Sequence, residues 1–90
     1  MENMSTKEKA LIRIKQKPKE YTYKEAKSLF EQLGFKEYSK GKTSGSRMKF
    51  YRQSDGLVFM LHKPHPGDVM SPGAIRDFAA FIERLETYER

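Results

Sequence analysis

Gly41-Lys-Thr-Ser-Gly-Ser-Arg-Met-Lys-Phe-Tyr51, answered by Leu57-Val-Phe-Met-Leu-His-Lys-Pro-His-Pro-Gly67, is the stretch on which the architecture turns. Met48, Phe50 and Arg52 alternate with Arg47, Lys49 and Tyr51, and Leu57, Phe59 and Leu61 alternate with Val58, Met60 and His62. A period of two is that of a strand with one face buried. Asp55-Gly56 between the runs carries the signal of a two-residue hairpin turn. With that turn Phe50 falls opposite Leu61, Arg52 opposite Phe59, Tyr51 opposite Met60 and Lys49 opposite His62. A three-residue loop would slip the register by one and set apolar residues against the wrong face, so the pattern calls for an even loop.

Outward from the hairpin the signals are helical. Ser5 with Glu8, and Thr22 with Glu25, each make a capping-box pattern. Ala10, Leu11 and Ile14 then share one face of a first helix, which Lys17-Pro18-Lys19 ends. Ala26, Leu29, Phe30 and Leu33 share one face of a second, stopped by Gly34. Phe35 and Tyr38, between two stop signals, mark a first strand over residues 35–40. Ser71 caps and Pro72 opens a closing helix whose inward stripe is Ile75, Phe78, Ala79, Ile82 and Leu85. Ala74, Phe81 and Tyr88 lie beside that stripe and are expected to pack. The order is helix, helix, three antiparallel strands, helix, an α+β arrangement without internal repeats.

Ninety residues support a single core, burying about 60 to 65% of the surface of the unfolded chain. There is no cysteine for a disulfide or a thiolate site. No apolar run approaches the roughly 18 residues of a membrane span, and no signal-peptide core is present, so a cytoplasmic location is expected. The net charge of +6 is uneven: residues 36–63 hold seven Lys/Arg against Glu37 and Asp55, and residues 64–90 hold three against five acids. A basic block of this kind attracts polyanions and stabilises binding by releasing counterions, which favours a nucleic-acid partner ahead of an acidic protein.

The only two histidines, His62 and His65, stand at and just past the end of that block. On the polar face of the hairpin, Lys49 and His62 as cross-strand neighbours would hold their β-carbons about 5 Å apart, with Arg47 one step along. Cations around an imidazole favour its neutral, proton-accepting form. Metal-free RNA cleavage needs such a base at the 2′-hydroxyl and cations for the charge that builds on the phosphoryl oxygens. The plainer alternative is an ordinary exposed strand histidine beside a loop histidine. Gly41-Lys42-Thr43 resembles the end of a phosphate-binding loop, but Lys36 stands where that motif needs glycine and a strand follows instead of a helix. His62, His65 and Asp68 lack the fixed spacing of a metal site, so neither metal nor cofactor is expected.

The capped helix ending in Leu33-Gly34-Phe35, the Gly45-Ser46 step into the alternating hairpin, and the His-Lys-Pro-His-Pro-Gly segment at 62–67 together resemble the HicA family of toxin-antitoxin toxins. The resemblance covers roughly residues 22–85. It implies a double-stranded-RNA-binding-domain-like α-β-β-β-α fold with helices on one face of a three-stranded antiparallel sheet. An extra N-terminal helix and linker would occupy residues 1–21, with the family domain at 22–90. It also implies ribosome-independent mRNA cleavage and a HicB-type antitoxin over the active face. The family's usual catalytic histidine follows the Gly-Ser pair, where this chain has Arg47, and arginine does not give up a proton at physiological pH. Catalysis would then fall to His62 and His65, with Lys42, Ser46, Arg47, Lys49, Tyr51 and Lys63 gripping RNA. Two alternatives keep the fold without the chemistry: a non-catalytic RNA-binding module, or an interaction domain whose Tyr51, Val58 and Met60 are covered by an acidic partner.

Overall fold

A computed structural model describes residues 5–38, 47–64 and 67–88. Both capping boxes form. The Ser5 hydroxyl accepts from the Glu8 N–H at the start of α1 (Thr6–Lys15), and the Thr22 hydroxyl accepts from the Glu25 N–H at the start of α2 (Tyr23–Gln32), with each glutamate returning to the cap's own N–H. Between these helices Lys17 takes a left-handed φ of 51° and turns the chain. Gly34 (φ 92°) ends α2, where a β-carbon would also press on the Arg52 side chain.

The sheet follows as β1 (Lys36–Tyr38), β2 (Arg47–Arg52) and β3 (Leu57–His62), antiparallel and in chain order. The first strand is confined to three residues of the expected stretch, of which residues 39–40 lie outside the described residues. From β3 the chain runs back to the start of α2. There Tyr23 N–H bonds the Asp68 carbonyl at 2.8 Å and Met70 N–H bonds the Tyr21 carbonyl at 2.8 Å. The Ser71 hydroxyl then accepts from the Ala74 N–H and opens α3 (Pro72–Tyr88).

Phe30 of α2 is the centre of the core. Its ring stacks on Phe50 of β2 at 4.1 Å and lies 5.2 Å from Phe35 and 4.8 Å from Phe78. Phe81 of α3 stacks on Phe59 of β3 at 4.5 Å, so α2 and α3 cover the same side of the sheet. Phe81 is buried, as expected, while Ala74 is half-buried. The first helix joins this core through Ile14, which is fully buried, and is held at its rim by Arg13–Glu25 and Lys15–Glu86 ion pairs, each 2.9 Å. This is the α+β, double-stranded-RNA-binding-domain-like arrangement, with an additional helix in front. Among the described residues no helix is long and apolar enough to cross a membrane.

The hairpin corrects one expectation. Arg52 pairs with Leu57, so the loop has four residues, Gln53 to Gly56, and the ladder is shifted by two from the two-residue turn. Gly56, at φ 72°, closes it by donating to the Arg52 carbonyl at 2.8 Å. The reason lies in Arg52, whose guanidinium reaches back to Asp55 at 2.7 Å and draws that residue out of the turn position it would otherwise hold. An even slip leaves every side chain on its expected face.

Candidate nucleic-acid interface

Directly paired residues share a face of a sheet. The register therefore assembles the side opposite the helices as three rows: Lys36–Tyr51–Val58, then Tyr38–Lys49–Met60, then Arg47–His62. The order of burial along β2 and β3 agrees, with Phe50, Arg52 and Leu61 turned inward and Arg47, Tyr51, Val58, Met60 and His62 exposed. The strand residues of this face include Lys36, Arg47 and Lys49 and no acid; the one strand glutamate, Glu37, sits opposite Phe50 on the helix side.

The slipped register changes His62's neighbour. It lies directly across from Arg47, with Lys49 one row away, and not directly across from Lys49. At the usual cross-strand spacing the Arg47 and His62 β-carbons are about 5 Å apart. The three groups remain on one side. Lys49 Nζ lies 5.3 Å from the centroid of the Tyr38 ring, close enough for a cation–π contact that also fixes where its charge sits. Tyr38 and Tyr51 are about 47% and 39% exposed, so two aromatic rings are presented between the cations. Aromatic rings interleaved with cations are what a single-stranded nucleic acid stacks and neutralises its backbone on.

Lys63 is placed differently. Its ammonium lies 5.7 Å from the Tyr23 ring, toward the helix side. There Glu37 accepts from the Tyr23 hydroxyl at 2.5 Å and pairs with Lys27 at 3.1 Å. Burial alone would raise the Glu37 carboxyl, but the hydrogen bonds from Tyr23 and Lys27 outweigh it and hold the group below the ordinary carboxylate range. The Asp68 carboxylate accepts from the Lys24 N–H at the start of α2. His65, Lys42 and Ser46 lie outside the described residues. Lys36 and Tyr38 are face residues that the sequence reading did not single out. A three-residue strand is too short to display alternation, and only its pairing with Tyr51 and Lys49 reveals which way it faces.

Helices gathered on one side of a three-stranded sheet, with a cationic, tyrosine-bearing face left open on the other, define a small domain built to present a charged surface to a partner. The chain belongs to the HicA toxin family: the family model for the HicA toxin of bacterial toxin-antitoxin systems matches residues 23–84. It is thus the toxin member of such a pair, with an antitoxin as its counterpart. Comparison with curated proteins and with solved structures gives no match.

Proposed function

We propose that this toxin is a metal-independent endoribonuclease that lays single-stranded mRNA across the open sheet face and cuts it at His62. The observation that carries the proposal is the direct pairing of His62 with Arg47 on an exposed face whose strand residues include no acid. In the reaction, His62 removes the proton from a 2′-hydroxyl, the 2′-oxygen forms a bond to phosphorus, and the bond from phosphorus to the 5′-oxygen breaks. The departing 5′-oxygen takes a proton from a second acid, the role assigned to His65. The products are a 2′,3′-cyclic phosphate and a 5′-hydroxyl. Arg47 and Lys49 stabilise the charge that accumulates on the phosphoryl oxygens, and preorganised cations of this kind supply a large share of the rate enhancement.

Lys42, Ser46 and Lys63 extend the grip on the backbone, and Tyr51 offers a stacking surface. A HicB-type antitoxin neutralises the toxin by covering the same face, in the cytoplasm, where its mRNA substrate is made. Residues 22–90 carry the activity, and residues 1–21 add a helix and linker that brace it.

The test is a purified chain incubated with a transcript in the presence of a chelator. Wild-type protein produces fragments ending in cyclic phosphate, and His62→Ala lowers the rate by about 100-fold or more. Equal cutting by wild type, His62→Ala and His65→Ala would sink the mechanism. A second reading, RNA binding without cleavage, draws on Arg47 standing at the family's histidine position. It is the outcome in which the wild-type chain binds the transcript and leaves it whole.

A further inference from the structure

We infer that the groove between β3 and α3 is a nucleobase subsite selective for guanine, adjoining the scissile phosphate. The inference rests on reading the sheet face as an RNA surface. The groove has a volume of about 430 Å³ and is lined by Phe59, Met60, Leu61 and His62 from β3 and by Ser71, Ala74, Asp77, Ala80 and Arg84 from α3 and its cap. That volume lies within the range of small-ligand sites. Met60 and His62 belong both to the groove and to the open face, because β3 is an edge strand of the sheet. An RNA strand whose phosphate rests on the Arg47–His62 pair can therefore turn one base over this edge.

The lining decides which base. Ala74 and Ala80 leave the helix side shallow, and Phe59 and Met60 offer apolar and aromatic surface for a base to lie on. The Asp77 and Arg84 side chains are exposed, and among the described residues neither side chain has a hydrogen-bond or ion-pair partner. Seven residues apart on one helix, they stand about 10.5 Å apart along its axis. That span suits a purine with a hydrogen bond at each end. A carboxylate only accepts and a guanidinium only donates. Guanine alone answers each with two adjacent groups, offering N1–H and N2–H to the carboxylate and O6 and N7 to the guanidinium, where the other bases offer a carboxylate only one donor group. A carboxylate next to a phosphate path also repels any strand that does not give it donors, which turns its charge cost into selectivity.

The test is fluorescence anisotropy with the full-length chain and uridine octamers carrying one central guanine, adenine or cytosine. The guanine octamer is expected to bind wild-type protein about tenfold or more tighter than plain uridine octamer. Asp77→Asn, which keeps the shape, and Arg84→Met, which keeps the apolar stem and removes the donors, are each expected to bring that ratio within about twofold. A wild-type chain that treats all four octamers alike overturns the subsite, and so does a guanine preference that survives in both variants. A chain that keeps the guanine preference yet cuts no RNA overturns the nuclease reading and leaves the subsite standing. One that cuts equally after every nucleotide overturns the subsite alone.

Discussion

Arg47 and Arg52 sit five residues apart on the same strand, and the fold treats their identical charges in opposite ways. Arg47 faces solvent across from His62. Arg52 is only 8% exposed, with its guanidinium 4.8 Å from the Phe35 ring, donating to the Leu33 carbonyl at 2.9 Å and paired with Asp55. The hydrogen bond from Arg52 is the main reason the Asp55 carboxyl is held below its ordinary value. Arg52→Met keeps the apolar stem and removes the donors, and it is expected to destabilise the domain by about 1–3 kcal/mol. The Asp55 titration should rise toward the ordinary aspartate value at the same time. Urea unfolding and carboxyl NMR titration measure the two effects. An unchanged midpoint together with an unchanged Asp55 titration would show that the guanidinium bonds are not what anchors this turn.

At the scale of elements, the helices were legible because their signals are local. A capping box is a four-residue pattern, and the stripe of Ala26, Leu29 and Phe30 needs no tertiary knowledge; all three are fully buried. The side each hairpin residue faces was legible for a similar reason, since alternation depends only on parity. The length of the turn was not. It is settled by Arg52 reaching Asp55 while lying over Phe35, a contact that brings together three separate segments of the chain. In the candidate site the cations of β2 and His62 were visible from their alternation, whereas Lys36 and Tyr38 emerged only through strand pairing.

Parity also yields a prediction. Deleting Gln53 and Ser54 together leaves Asp55-Gly56 as a two-residue turn and preserves the pairing of Arg52 with Leu57. Deleting Val58 alone, inside β3, moves every residue beyond it to the other face and sets apolar against polar positions across the hairpin. Thermal melts followed by circular dichroism should show the single deletion losing more stability than the double, by about 2 kcal/mol or more, the scale of one buried apolar side chain. The opposite ranking would mean that loop contacts, and not face parity, hold the ladder.

At the scale of the molecule, among the described residues, bases stand on both sides of the sheet while the strand acid stands on one. Ion pairs such as Arg13–Glu25, Lys15–Glu86 and Lys27–Glu37 cross-link the helical layer and tie it to β1, while the three cations of the open face meet no strand acid. The carboxylates that brace the helices therefore also set the acid limit of the fold. Burial alone would raise Glu25 and Glu37, but hydrogen bonds from Arg13 and Thr22 onto the first, and from Tyr23 and Lys27 onto the second, hold both below the ordinary carboxylate range. A group depressed in the folded state contributes its stability above its unfolded value, about 4.3 for glutamate, and loses it as pH falls through the lower folded value. Tyr21 and Tyr23 act at the other end. Burial, chiefly, raises both phenols, so their contribution is whole below the ordinary value of about 10 and fades as pH climbs past it. The melting temperature should accordingly be flat between about pH 5.5 and 9 and fall on either side. Glu25→Gln with Glu37→Gln keeps acceptors in place but removes the titrating charge, so the double variant should start from a lower plateau and descend less steeply in acid. An acid limb as steep as that of the unaltered protein would place the acid sensitivity in other carboxylates.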